Sequence, residues 1–143
     1  MQMDKSIEIL SFLKTQSRNK IVFYKDSIID ITAIDLGAEL SQALFNLNDL
    51  TKLPMKVTSE LDKIFNDALI NHSNYGRIIA ISNIGILLEP DLKQDLRAIL
   101  EKYSNNNTLF VKWVGEIENR CLNFLSKEKG IKINTNELSH IIL

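Results

Sequence analysis

Apolar and polar positions alternate along this chain with two different periods. Met3, Ile7 and Leu10, widened by Ile9 and Leu13, recur at helical spacing and predict an amphipathic helix over residues 4–16. The run Lys20-Ile21-Val22-Phe23-Tyr24 is continuously apolar and aromatic after its first residue, as expected of a strand covered on both faces. Residues 28–34, rich in β-branched side chains, predict a second strand. The gap between these two runs is too short for the crossover of a dozen or more residues that joins parallel neighbours. They are therefore predicted to pair as a hairpin, unless one of them lies outside the main sheet.

From Leu36 the spacing is helical again, through Leu40, Ala43, Leu44 and Leu47. A further helix carries the stripe Val57, Leu61, Ile64, Phe65, Ala68 and Leu69, with Thr58 or Ser59 as its cap. Residues 77–82 are a buried strand. Glu89-Pro90-Asp91 then predicts a helix start, with Pro in the first turn and acids near the positive end of the dipole. Its stripe is Leu92, Leu96, Ile99, Leu100 and Tyr103, and residues 108–114 form the next buried strand. Two such strands joined by one helix make a βαβ unit, parallel and right-handed. Ile117, Cys121, Phe124 and Leu125 predict one more helix, broken at Gly130, and residues 138–143 a strand at the sheet edge.

This order of elements predicts an α/β fold of three layers: a mainly parallel sheet with helices on both faces, in a single domain over residues 1–143. A length of 143 residues with 45% hydrophobic content is enough for an ordinary core. A net charge of −1 excludes the strongly basic balance of an autonomous nucleic-acid binder. The lone Cys121 cannot form an internal disulfide, which fits a reducing, cytoplasmic location. Asp4, Lys5 and Glu8 break the first apolar stretch, so neither a signal peptide nor a membrane span is expected there.

The strand Arg77 to Ser82 has the form of the buried strand that ends in Asp in a nucleotide-hydrolysing sheet, where the carboxylate organises Mg²⁺ and water. Here Ser82 holds that place, and none of the five glycines stands in a phosphate-loop context. The stretches from Ser82 to Asp95, from Tyr103 to Thr108 and from Trp113 to Ile117 resemble the BrxF-like P-loop proteins of BREX phage-defence systems. The segment from Ile34 to Leu44 is similar to the strand-to-helix passage before them, so the resemblance runs from about Ile31 onward. It implies a P-loop NTPase-like scaffold working with other subunits of a bacterial anti-phage system. Two departures qualify that implication. Between Tyr24 and Ile31 there is no room for a phosphate loop and the helix behind it, and Ser82 replaces the metal-organising acid.

Ser82, Asn83, Trp113, Gly115 and Glu116 are candidates for a partner contact or the remnant of a nucleotide site, because they fall where strands of such a sheet emit their loops. Their plainer readings are a strand-end cap for Ser82 and Asn83, and packing for Trp113. Glu89, Asp91 and Asp95 read as dipole and capping residues rather than metal ligands. His72 and His140 lack ligand-spaced partners, and Cys121 reads as a core thiol. Lys127, Lys129 and Lys132 are the nearest approach to a basic patch and weak candidates for DNA contact. The sequence thus predicts a non-catalytic, scaffolding or regulatory subunit of a defence complex, with no cofactor, no metal and no membrane partner. Its partners are other protein subunits, with DNA reached through the complex and homo-oligomers allowed. A nucleic-acid-binding adaptor, or an ATPase completed in trans by a partner, are the alternatives.

Overall fold

The three continuous apolar runs become the centre of one sheet. In this computed structural model, which describes residues 2–15, 19–28, 30–47, 49, 51–113, 116–118, 121–123, 132–134 and 140–143, helix α1 (Gln2–Leu13) leads into strand β1 (Lys20–Tyr24). The short β2 (Ile34–Asp35) passes directly into α2 (Leu36–Phe45), which packs on α3 (Leu53–Ala68). β3 (Ile70–His72) and β4 (Gly76–Ser82) follow, then two 3₁₀ turns over Ile84–Leu88 and Pro90–Leu92. α4 (Leu96–Tyr103) and β5 (Thr108–Lys112) complete the βαβ unit. β6 (Glu116–Glu118), β7 (Cys121–Asn123) and β8 (Lys132–Asn134) form a small antiparallel sheet, and β9 (His140–Ile142) returns to the large one.

The large sheet runs β2-β4-β5-β1-β9, every neighbour in that path parallel. β3 is the exception, antiparallel to the start of β4. Side chains of β1, β4 and β5 leave the sheet alternately on its two sides, and both sides are covered. Ile21, Phe23, Ile79, Ile81, Leu109 and Val111 meet Leu36 and Leu40 of α2, Leu61 and Phe65 of α3, and Leu100 of α4. Val22, Tyr24, Ile78, Ala80 and Phe110 meet Ile9 and Phe12 of α1 on the other face. Burial on both faces explains why these strands show no polar alternation. Connections that step along a sheet in opposite directions keep one hand only by crossing opposite faces. Accordingly α2, α3 and α4 serve the steps from β2 to β4 to β5, while Ile28 and Ile31, on the reverse step from β1 to β2, lie on the α1 face.

Five expectations are corrected. β1 has parallel neighbours on both edges, so it makes no hairpin with the segment after it. That segment is not a full strand: Ile28 and Ile31 are buried anchors three residues apart, the Ile31 N–H donates to the Ile28 carbonyl at 3.2 Å, and Asp30 takes φ 65°. Where the sequence predicts a helix from Ile117, the described residues 116–118 and 121–123 are instead strand, with Ile117 opposite Leu122 and Leu122 opposite Ile133 in register; Phe124, Leu125 and Gly130 lie outside the described residues. α4 starts at Leu96 rather than at Pro90, because Asp95 caps it by accepting from the Ala98 N–H at 3.2 Å. α3 starts at Leu53, with Pro54 in its first turn, and the Thr58 hydroxyl donates to the Pro54 carbonyl at 3.0 Å inside the helix instead of capping it.

α3 and α4 are joined by an aromatic pair and a charge. Tyr103 stacks on Phe65 with centroids 3.8 Å apart, and its hydroxyl donates to Asp62, which also accepts from Lys102 Nζ at 2.9 Å. These donors, Tyr103 first, hold the Asp62 carboxyl below the usual carboxylate range. A depressed folded-state value contributes stability that is present above the unfolded pKa and lost as pH falls through the folded one. Asp62→Asn is therefore expected to destabilise the protein at pH 7 and to make little difference well below about pH 4. Urea denaturation of both proteins at each pH reads this directly; an equal gap at both would dissociate Asp62 from the acid sensitivity.

Candidate functional site

Open parallel sheets place ligands beyond the carboxyl ends of their strands. Here the register brings Tyr24, Lys112, Ser82 and Asp35 into one row across that edge. β4 ends at Ser82, whose hydroxyl donates to the Ile34 carbonyl of the neighbouring strand at 3.4 Å. Asn83 then takes a left-handed conformation, φ 55° and ψ 52°, which Asn tolerates better than most residues. Its amide donates to Asp35 Oδ1 at 2.8 Å. The same oxygen accepts the Ala38 N–H at 2.9 Å and so caps α2.

Gly37 makes that arrangement fit. A Cβ on Gly37 would lie 2.3 Å from Asn83 Nδ2 and 2.9 Å from its Cγ, so only glycine lets the amide cross α2 this closely. Beside them opens a cleft of about 470 Å³ whose walls include Gly37, Ser41, Asn83, Gly85 and Glu89.

The electrostatics of this edge are set by Asp35. The first turn of α2 offers unpaired N–H groups and the positive end of a dipole, which would ordinarily attract a phosphate. Asp35 already supplies the anion. Its carboxyl is held below the usual range chiefly by the Ala38 N–H and then by the Asn83 amide. Glu39 in the first turn and Glu89 across the cleft add like charge. A second anion arriving here would face a carboxylate holding the donors it needs. What the cleft can do is hydrogen-bond a polar, uncharged group through Ser41 and Asn83. Among the described residues no group of three or more His, Cys, Asp or Glu is placed to hold a metal ion.

Ser82 and Asn83 are thus brought together with two residues that sequence reading did not single out, Asp35 and Gly37. An Asp ahead of a helical stripe is a capping signal visible in the sequence, but nothing local links it to Asn83, 48 positions away. Trp113 does not join them. It is 2% exposed, lies in the core under α2–α4, and its backbone N–H donates to the Tyr24 carbonyl at 2.9 Å. Of the two readings of Trp113, partner contact and packing, its burial fits packing.

Gly115, Lys127 and Lys129 lie outside the described residues, while Glu116 opens β6 and Lys132 opens β8. Asp95 caps α4, whereas Glu89 lies between the two 3₁₀ turns without a side-chain cap bond and Asp91 sits inside the second. Cys121 is the first residue of β7. His72 accepts from the Asn74 N–H at 3.0 Å through Nδ1, and His140 sets its ring edge against Phe23. The largest exposed apolar side chains missed by the sequence reading are Phe45 and Met55, 85% and 69% exposed, at the corner where α2 gives way to α3. No helix among the described residues is long and apolar enough to cross a membrane. Compared with known proteins, the chain matches no family model, no curated protein and no solved structure.

Proposed function

We propose that this chain is a non-catalytic subunit of a bacterial anti-phage defence complex, working in the cytoplasm as a docking or regulatory body on a degenerate P-loop-like scaffold. The observation that carries this reading is the closure of the carboxyl edge by the protein's own groups. Asp35 occupies the α2 terminus and ties down Asn83, and the chain leaving β1 is drawn into the core by Ile28 and Ile31 instead of circling a phosphate. An edge filled in this way favours contact over phosphoryl chemistry. Phe45 and Met55 supply apolar side chains suited to a protein partner, such as a larger ATPase, methyltransferase or nuclease of the same system.

Calorimetric titration with Mg-ATP is expected to give no heat attributable to binding at the carboxyl edge. Micromolar affinity accompanied by turnover would overturn the assignment. Co-expression with the neighbouring defence subunits is expected to yield a complex that Phe45→Glu disrupts while leaving the isolated fold intact.

A further inference from the structure

The opposite edge of the sheet, where the parallel strands begin, has the reverse electrostatic character. β1 and β5 enter it at Lys20 and Thr108, and Arg77 is the second residue of β4. A pocket of about 450 Å³ opens there, within the range of about 300–1,000 Å³ typical of small-molecule sites. Among the described residues its wall holds two cations, Lys20 and Arg77, with Tyr75 and the turn residues Asn105, Asn106 and Asn107, and no acid. The exposed Arg77 has no salt-bridge partner among the described residues. Lys20 Nζ donates to the Leu13 carbonyl at 2.6 Å, a neutral partner that leaves its charge uncancelled.

The polar wall is built rather than loose. Asn19 Nδ2 donates to the Glu101 carbonyl and to Ser104 Oγ at 3.0 and 3.1 Å, and the Lys20 N–H donates to the Ser104 carbonyl at 3.2 Å. The start of β1 therefore pins the turn after α4. On the other side Tyr75 is held against His72, with ring centroids 4.6 Å apart. Within this frame Asn107 Oδ1 is buried with no hydrogen-bond partner among the described residues. A buried acceptor without a donor is unusual and calls for a reason. Rotation of that carboxamide toward a donor on a ligand sacrifices no existing bond at the oxygen.

We propose that this pocket binds a small phosphate ester that carries hydroxyl groups, of sugar-phosphate or mononucleotide size. Arg77 and Lys20 match the phosphate. The carboxamides, which donate and accept together, match hydroxyls or a base edge. Carboxylates alone would satisfy the cations but leave Asn107 as it is. The proposal is independent of the reading of the carboxyl edge, which lies at the other end of the strands, and would make the docking body responsive to a metabolite.

Ribose 5-phosphate, AMP and inorganic phosphate, each titrated to millimolar concentrations into the ¹⁵N-labelled full chain, provide the test. Both organic esters are expected to produce saturable shifts in the Asn105–Asn107 side-chain amides, with inorganic phosphate weaker. Tighter binding of AMP would assign the site to nucleotides, and equal binding to sugar phosphates. Arg77→Gln, an exposed change that leaves the fold intact, is expected to weaken either ester roughly tenfold. Lys63→Gln, on α3 and not among the pocket's lining residues, should not. Absence of saturable shifts with both esters, or identical affinity in Arg77→Gln, would refute the site, and shifts confined to Gly37 and Asn83 would move the binding to the other edge.

Discussion

Trp113→Ala is expected to lower the unfolding free energy by about 3–5 kcal/mol, the largest single-site loss in the molecule. The indole is 2% exposed and sits just past the end of β5 in the cluster formed by the sheet and α2–α4. Its removal costs the transfer energy of a large apolar side chain and leaves a cavity that the surrounding strands cannot close, since Val111 and Leu109 are held by parallel partners on both edges of β5. A loss of that size is a large fraction of the roughly 5–15 kcal/mol that stabilises a typical domain. Trp113→Phe, which fills most of the space, should cost distinctly less. Phe45→Ala, at 85% exposure, should fall within about 0.5 kcal/mol of the parent.

Urea denaturation followed by circular dichroism measures all three. Because the chain has a single Trp, the fluorescence of the parent reports on this site alone. Emission at the wavelength of water-exposed indole, or a Trp113→Ala loss no greater than that of Phe45→Ala, would place the side chain outside the core.

How far the sequence disclosed the fold depends on what each residue pattern can distinguish. β1, β4 and β5 were legible because strands buried on both faces need uninterrupted apolar runs, and Ile21 to Tyr24, Ile78 to Ile81 and Leu109 to Val111 supply them. The same criterion misread residues 28–34. Ile28 and Ile31 are as β-branched as any strand residue, but they bury as the two anchors of a turn whose Asp30 is left-handed. β3 escaped notice for the opposite reason: Ile70 is half exposed and Asn71 and His72 are polar, so the strand is specified by its pairing with β4 rather than by its own pattern. Around Ile117, Cys121 and Leu122, short apolar spacing fits helix and antiparallel strand alike, and only the match to Ile133 across β8 decides. The candidate site has the same limitation. Asp35 is visible as a cap and Asn83 as a strand end, yet their junction exists only because β2 lies beside β4.

That junction yields the second large effect. Gly37→Ala is expected to cost about 1–3 kcal/mol, the usual range for overpacking, although alanine is the better helix former and would favour α2 in isolation. The added Cβ would sit 2.3 Å from Asn83 Nδ2 and 3.1 Å from the Asn83 carbonyl oxygen. The amide alone could swing aside, at the loss of its bond to Asp35; the carbonyl cannot, because Asn83 has φ 55° and terminates β4. Asn83→Gly removes the obstructing side chain and suits the left-handed backbone. Gly37→Ala combined with Asn83→Gly should therefore be more stable than the sum of the two single changes predicts, a positive coupling in a double-mutant cycle. The same Asn83→Gly change removes the second of the two main donors holding the Asp35 carboxyl low, so an NMR titration should find that carboxyl closer to its ordinary range. Strict additivity in the cycle together with an unmoved Asp35 titration would mean that Asn83 does not cross α2 at Gly37, and the closed carboxyl edge on which the docking role rests would have to be abandoned.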